Sequence, residues 1–299
     1  MKGIQNSIYF QFLRINHWPK NIVIFFGFLV AFYSNTFNLS IEVFLKLLMA
    51  FILTGIISSA NYVLNQIADK KFDSKHPNKK KRPLPSGKIT IKQAVLIYIL
   101  LTFLGVYFSL ILFSFKFTLS LFVLWIAGIF YNIKPIRLKD VPYLDVVAES
   151  ANNPIRIAIG WFIILPLSFP PVLILLLSWF MGAIFMTAKR FDELKFFGKK
   201  LSLYRTTFRW YSMSKLRFML YLYTVSSILI ATIIIWQNNK QLLIIIPLLV
   251  LFLKWFLSQV DNGSAKAREI ESFVVKPRFL IYSLGLFIIV LLLVFINKL

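Results

Sequence analysis

The sequence predicts an all-α integral membrane protein, a polytopic bundle of about nine transmembrane helices. Hydrophobic residues make up 59% of the 299 positions, and aromatic residues 17%. Apolar stretches long enough to cross a bilayer as helices recur along most of the chain. The cations fall in short connections between these stretches, a pattern that sets membrane orientation. We therefore expect the lipid bilayer, and not nucleic acid, to be the partner of a chain with a net charge of +23.

The elements follow from the apolar stretches and the turns between them. A short amphipathic stretch at about 4–15 is predicted to lie at the membrane interface, so that residues 1–18 form an interfacial segment of one domain covering 1–299. Pro19 suits the start of the first span, because its fixed φ fits a first helical turn. The predicted spans are 20–36, 41–67, 91–114, 117–132, 141–165, 169–188, 215–236, 241–258 and 277–297.

The distribution of charge predicts the orientation of the chain. Nearly all Lys and Arg residues lie in the N-terminus and in the connections near 68–90, 132–140, 189–217 and 254–278. The positive-inside rule places these segments in the cytoplasm, with the protein in the cell's inner membrane and its C-terminus outside. The chain has no cysteine, which excludes disulfides and thiolate catalysis.

The first candidate site lies at the end of the second span. Asn65, Asp69 and Asp73 recur every four residues and would share one helix face. Cations follow them at Lys70, Lys71, Lys75, Lys79, Lys80, Lys81 and Arg82. Carboxylates suit a hard divalent metal, and Lys and Arg suit phosphate oxygens, so this pattern predicts a metal–phosphate site. The alternative is that the acids only cap the helix and that the cations only set orientation.

A second acidic and basic segment, residues 187–200, ends the sixth span. It contains Lys189, Arg190, Asp192 and Glu193. The simpler interpretation is a solvated helix end with a local Lys189–Glu193 pair, which contributes only a few tenths of a kcal/mol. A second such end on the predicted cytoplasmic side favours a functional role, because two charged ends could hold one polyphosphate from both sides.

The fifth predicted span carries an unusual number of polar residues. Asp145, Glu149, Asn152 and Arg156 are spaced to form a stripe on one helix. A charged group in hydrocarbon costs at least about 2.5 kcal/mol, so the stripe must face partners or a wet cavity. A Glu149–Arg156 pair that only fastens helices is the alternative.

The connection at residues 131–140 adds further cations on the same predicted side. Arg137 is a candidate phosphate ligand, whereas Lys139 is assigned to membrane orientation.

Together these residues resemble the UbiA superfamily of intramembrane prenyltransferases. The segment NQIADKKFD, residues 65–73, is similar to the family motif NDxxDxxxD, with Gln66 in place of an acid. The segment KRFDELKFFG supplies only Asp192 and Glu193 toward the second acidic motif. Other segments resemble the decaprenyl-phosphate phosphoribosyltransferase branch: RINHWPKN, HPNKKKRPLPSG, RLKDVPYLD and AKRFDEL.

The resemblance implies a transferase that moves a polyprenyl group from a Mg²⁺-bound prenyl diphosphate to an acceptor. The implied metal ligands, which are also the catalytic residues, are Asp69, Asp73, Asp192 and Glu193. The implied substrate-binding residues are Asn65, Lys79, Arg82, Arg137, Asp145, Arg156, Lys189 and Arg190.

Two other functions remain open at this point. In the first, phosphoribosyl diphosphate is the donor and a polyprenyl phosphate is the acceptor, with the same charged residues in use. In the second, the chain is a lipid or solute transporter whose charges in the fifth span mark the translocation path.

Overall fold

The computed structural model describes residues 7–34, 40–75, 78–198, 202, 205–238 and 240–261. Within this part of the chain all regular structure is helical and there are no strands. The chain divides into two compact units, Met1–Leu175 and Leu176–Leu299. The all-α class predicted from the sequence is confirmed.

Ten α-helices follow one another along the described residues. Seven begin and end in the first unit: α1 Ile8–Leu13, α2 Val23–Tyr33, α3 Ile41–Asp73, α4 Ile91–Leu112, α5 Phe115–Asn132, α6 Leu144–Ser150 and α7 Asn152–Ile164. The other three are α8 Val172–Phe197, α9 Met213–Asn238 and α10 Ile245–Asp261. A 3₁₀ segment, Ile15–Ile22, joins α1 to α2.

Among the described residues, seven helical stretches are long and apolar enough to cross a membrane. They are Ile8–Tyr33, Ile41–Asp73, Ile91–Leu112, Phe115–Asn132, Val172–Phe197, Met213–Asn238 and Lys240–Asp261. The predicted number of nine is therefore approximate. The predicted span at 277–297 lies outside the described residues.

Side chains that cap helix N-termini fix where three of these spans begin. Ser40, Thr90 and Ser114 accept hydrogen bonds from backbone amides in the first turns of α3, α4 and α5. Such caps satisfy amides that have no partner within the helix. At its other end α3 continues six residues beyond the predicted boundary at 67 and ends at Asp73. The first acidic motif therefore lies entirely on the helix.

The helix predicted over 141–165 is present as two helices, α6 and α7, which are separated only by Ala151, a residue with a helical φ of −59° and ψ of −19°. Pro154 then falls in the first turn of α7, where the lack of an N–H costs no helical hydrogen bond. The polar residues at 145 and 149 therefore belong to one helix and those at 152 and 156 to the next.

Helices α2 and α7 pack with their backbones in unusually close contact. A Cβ atom added at Gly160 would lie 2.0 Å from the backbone oxygen of Ile24. One added at Gly27 would lie 2.0 Å from the backbone oxygen of Ile157. Small residues permit such close approach between helices in a membrane. This contact fixes the start of α2 against the start of α7.

The N-terminal helix α1 packs into the first unit. Phe12 is fully buried in a cluster with Val63 of α3, Ala94 of α4, and Leu84 and Ile89 of the segment between these helices. The location of residues 1–18 at the membrane interface stays a prediction.

We expect Gly160→Ala to destabilise the protein more than Gly87→Ala does. The new methyl group at 160 must displace backbone, and overpacking of this kind costs about 1–3 kcal/mol or more. Gly87 has open space around it, so that the methyl group of Gly87→Ala causes no clash. Only the positive φ of residue 87 then lowers the stability of this variant. Thermal unfolding in detergent measures both variants. Equal losses of stability would contradict the close α2–α7 contact.

Candidate functional site

The last turns of α3 carry a line of polar side chains that leads out of the apolar part of the helix. Asn65, Asp69 and Asp73 lie one turn apart on this helix. Asn65 Nδ2 donates to Asp69 Oδ2 at 3.3 Å and to Asn132 Oδ1, at the end of α5, at 2.6 Å. The predicted common face for these residues is thus present, and α5 supports it through Asn132.

Two cations share one oxygen of Asp69. Arg137 Nη2 lies 2.8 Å from Asp69 Oδ1, and Lys139 Nζ lies 2.7 Å from the same atom. The side chains of Arg137 and Lys139 are only 10% and 8% exposed, whereas that of Asp69 is 20% exposed. Two nearly buried cations therefore share one carboxylate oxygen of α3. We call Asp69, Arg137, Lys139 and Asn132 the Asp69 cluster.

The segment after α5 holds both cations in place. Lys139 Nζ donates to Asn132 Oδ1 at 2.9 Å, and Arg137 Nη1 donates to the backbone oxygen of Asn132 at 3.0 Å. Arg137 also pairs with Asp140 at 2.6 Å. The backbone of Arg137 has a φ of 33°, which is uncommon for a residue other than glycine and costs energy. These contacts orient the guanidinium before any ligand binds.

The basic loop folds back on Asp73. Arg82 Nη1 lies 2.6 Å from Asp73 Oδ2, and Lys79 Nζ lies 3.8 Å from Asp73 Oδ1. The Asp73 side chain is 4% exposed, while those of Arg82 and Lys79 are 27% and 43% exposed. The loop is therefore attached to the helix end, and its cations keep access to solvent. This arrangement is more than the orientation signal that a polybasic run alone would provide.

Gln66 points away from the acids of α3. Its Nε2 donates to the backbone oxygens of Phe12 and Tyr62, at 2.8 Å and 3.4 Å, and the residue is 1% exposed. Gln66 thus links α1 to α3 and contributes no oxygen to the face of Asp69.

The carboxylates fit a metal that arrives with a phosphate ligand better than one bound by protein alone. Within the described ranges no group of three or more His, Cys, Asp or Glu side chains is arranged to hold an ion. Mg²⁺ keeps several waters and is usually bound by one or two carboxylates together with substrate phosphates. The oxygens of Asp69 and Asp73 are the right ligand type, and the surrounding cations suit the phosphates.

The predicted residues of α8 lie in the second unit, near the end of that helix. Arg190 is 1% exposed and Asp192 is 2% exposed. Arg190 Nη1 lies 3.2 Å from Glu193 Oε2, so that these two residues form an acid–base pair. Lys189 is half-buried. The burial of Arg190 and Asp192 exceeds that of a solvated helix end, and their roles in binding metal and substrate stay predictions.

The polar residues of the predicted stripe are divided between α6 and α7 and have different partners. Asp145 is fully buried at the start of α6, and Glu149 accepts a hydrogen bond from Tyr131 of α5 at 2.9 Å. Arg156 of α7 donates to Asn21 Oδ1 at 2.8 Å and to the backbone oxygen of Asn152 at 3.3 Å. Arg156 makes no ion pair with Glu149, so that the fastening pair considered from the sequence does not form.

Sequence reasoning missed three polar residues of the first unit. Lys139 was assigned to membrane orientation but is 6% exposed and bound to Asp69. Asn132 and Asn21 were not considered, although both are amides beside apolar helices and are 3% and 1% exposed. A buried amide is costly without a partner, which was the available signal. The partners themselves are distant in sequence and could not be identified from it.

Comparison with known proteins places this geometry in a family. The model of the UbiA prenyltransferase family matches residues 21–284. The chain belongs to the UbiA prenyltransferase family. The match covers α2 to α10, including the Asp69 cluster, and it confirms the resemblance seen in the sequence.

Two relatives within the family are named as different enzymes. A digeranylgeranylglyceryl phosphate synthase from Sulfurisphaera tokodaii is 30% identical over 144 residues, 48% of this chain and 48% of the relative. A decaprenyl-phosphate phosphoribosyltransferase from Mycobacterium tuberculosis is 31% identical over 77 residues, 26% of each chain. The aligned stretches thus span about half or less of these relatives.

A solved structure shows the same fold. A UbiA homologue from Archaeoglobus fulgidus, bound to GPP and Mg²⁺, matches with a TM-score of 0.71 and 20% sequence identity. The match covers 94% of this chain and 99% of that chain. The UbiA fold, with its helical membrane bundle, is therefore established for this protein.

We expect Gln66→Glu to lower stability without changing the dependence of activity on Mg²⁺. A carboxylate there would face two backbone oxygens without a hydrogen to donate, which costs about 1–3 kcal/mol or more. Gln11→Glu, on the exposed face of α1, is the matched control and should unfold like the unmodified protein. Thermal unfolding and a Mg²⁺ titration of activity measure the two effects. A lowered Mg²⁺ requirement in Gln66→Glu would show instead that position 66 faces the metal.

Proposed function

We propose that this protein transfers a polyprenyl group from a prenyl diphosphate to an acceptor within the membrane. The observation that carries the proposal is the Asp69 cluster, in which two nearly buried cations share one carboxylate oxygen at the end of α3. Membership of a prenyltransferase family supports the reaction class. The prenyl chain would extend along the apolar helices, where aromatic and aliphatic side chains abound.

The cations of the first unit would bind the diphosphate. Arg137 can present two N–H groups to phosphate oxygens, and Lys139 adds a compact charge. Arg82 and Lys79, on the more exposed side, would neutralise the far end of the same group. All four already lie beside the acids of α3, so that they are close to the place where the anion would bind.

Asp69 and Asp73 would hold Mg²⁺ through their carboxylate oxygens once the neighbouring cations turn to phosphate. The bound ion would neutralise charge on the departing diphosphate. Asn65 would keep Asp69 oriented, since it already donates to Asp69 Oδ2. In the second unit, Asp192 and Glu193 of α8 are proposed as metal ligands, and Lys189 and Arg190 as diphosphate ligands. Asp145 is proposed as a substrate-binding residue.

The reaction breaks the bond between the first carbon of the prenyl chain and the diphosphate oxygen, which keeps the electron pair. The cations of the Asp69 cluster stabilise the negative charge that this oxygen gains. The allylic cation is then attacked by a nucleophilic atom of the acceptor, which loses a proton to complete the bond.

One observation favours a second candidate. The decaprenyl-phosphate phosphoribosyltransferase similarity suggests phosphoribosyl diphosphate as the donor and a polyprenyl phosphate as the acceptor. The same cations would serve, because that reaction also expels a diphosphate. In either reaction we propose that the protein sits in the inner membrane with its N-terminus and charged loops in the cytoplasm.

A donor screen decides between the two reactions. We expect the full chain in nanodiscs to be stabilised against heat by geranyl diphosphate together with Mg²⁺, and less by either alone, because the carboxylates and the diphosphate share the ion. EDTA should remove the effect. Stabilisation by phosphoribosyl diphosphate and Mg²⁺, but not by geranyl diphosphate, would support the second reaction. Stabilisation by neither donor would refute both.

Lys139→Gln should weaken the binding of geranyl diphosphate about tenfold to 100-fold, because it removes one charged donor from the phosphates. Lys92→Gln removes an exposed cation at the start of α4 and serves as the control. Titration of the thermal shift with geranyl diphosphate at fixed Mg²⁺ gives both affinities. If Lys139→Gln and Lys92→Gln bind the donor alike, Lys139 only sets membrane orientation.

A further inference from the structure

Arg156 is a buried cation without an acidic partner. It is 8% exposed, and its guanidinium donates only to the Asn21 side chain and the Asn152 backbone. No carboxylate in the described part of the chain forms an ion pair with it. A buried guanidinium without a counter-ion is unfavourable, so that an anion from elsewhere would stabilise Arg156.

Asn21 adds a second donor beside this guanidinium. Its Oδ1 accepts from Arg156 Nε at 2.8 Å and from Ser58 Oγ at 3.4 Å. Because Arg156 can only donate, the oxygen of the amide must face it, which fixes the orientation of the Asn21 side chain. Asn21 Nδ2 is then left buried without an acceptor among the described residues. An amide donor without an acceptor thus lies beside a guanidinium without a counter-ion.

The fold holds these two side chains together at a defined depth. Asn21 precedes α2, Arg156 lies at the start of α7, and the glycine contacts described above lock these helices against each other. Ser58, which binds Asn21, lies on α3 eleven residues before Asp69. At 1.5 Å per residue this is about 16 Å along the helix, toward the interior of the membrane.

We propose that Arg156 and Asn21 bind the anionic group of the acceptor, a carboxylate or a phosphate. The inference rests on the proposed function, since it takes the Asp69 cluster as the site of the donor diphosphate. An acceptor anchored about 16 Å deeper along α3 would place its nucleophile between the anchor and the first carbon of the prenyl chain. An uncharged acceptor would leave the buried guanidinium without its anion and would be rejected.

The test compares charged and neutral members of two probe pairs on the full chain in nanodiscs. One pair is 4-hydroxybenzoate and 4-hydroxybenzamide, and the other is geranylgeranylglyceryl phosphate and geranylgeranylglycerol. Equilibrium binding is measured with Mg²⁺ and an unreactive thio analogue of geranyl diphosphate present. We expect the charged member of one pair to bind about tenfold to 100-fold more tightly than its neutral partner. Which pair shows the preference identifies the anion as carboxylate or phosphate.

Arg156→Gln should abolish the preference for the charged probe and leave the affinity for geranyl diphosphate within twofold. Arg156→Lys should keep the preference at reduced affinity. Lys92→Gln is the control and should change neither. Asn21→Ala, which removes one donor but no charge, should weaken the charged probe less than Arg156→Gln does, and it provides the test if Arg156→Gln does not fold.

Two results would overturn the inference. One is the absence of any preference for a charged probe in the unmodified protein. The other is a preference that persists unchanged in Arg156→Gln, or in Asn21→Ala where Arg156→Gln does not fold. Binding of geranyl diphosphate is measured in the same samples. If the unmodified protein does not bind geranyl diphosphate, the proposed function is refuted. If it binds geranyl diphosphate and gives either of the two results above, only this inference is refuted.

Discussion

The charge balance at Asp69 constrains the rest of the first unit. One carboxylate oxygen accepts from both Arg137 and Lys139, and α3 and α5 must meet so that Asn65 and Asn132 can bridge them. Arg137 also pairs with Asp140, so that two cations and two carboxylates lie together. An incoming anion would compete with these carboxylates for the two cations. Desolvation makes such a buried cluster a weak source of stability. We therefore explain the cluster by function, as a set of oriented hydrogen-bond donors that can bind a diphosphate.

The same helix connects this cluster to a second polar position deeper in the bundle. Along α3, Ser58, Asn65 and Asp69 each bond to another polar side chain, and Val63, which lies between them, packs into the cluster around Phe12. The close α2–α7 contact brings Asn21 to Arg156, so that a cation lies well inside a segment of predicted membrane depth. Polar groups at that depth are costly and usually functional. The donor and acceptor sites proposed for this family member would thus be arranged along one helix.

The features of the fold that depend on local chemistry could be predicted from the sequence. Hydropathy located the seven spanning stretches of the described residues, and the four-residue spacing of Asn65, Asp69 and Asp73 located the acidic face of α3. The family resemblance was also visible in these residues. What could not be predicted depends on tertiary contacts. A lysine in a basic loop looks the same whether it faces water or, like Lys139, is buried against a carboxylate, and nothing local reveals that Arg156 meets Asn21 and not Glu149.

The central claim is that the Asp69 cluster binds the donor diphosphate. The most direct measurement is a cryo-electron microscopy structure of the full chain in a nanodisc with Mg²⁺ and a thio analogue of geranyl diphosphate. We predict phosphate density in contact with Arg137 and Lys139 at the end of α3, and a metal beside Asp69. Diphosphate bound elsewhere, with the contacts of Asp69 to both cations unchanged, would contradict it.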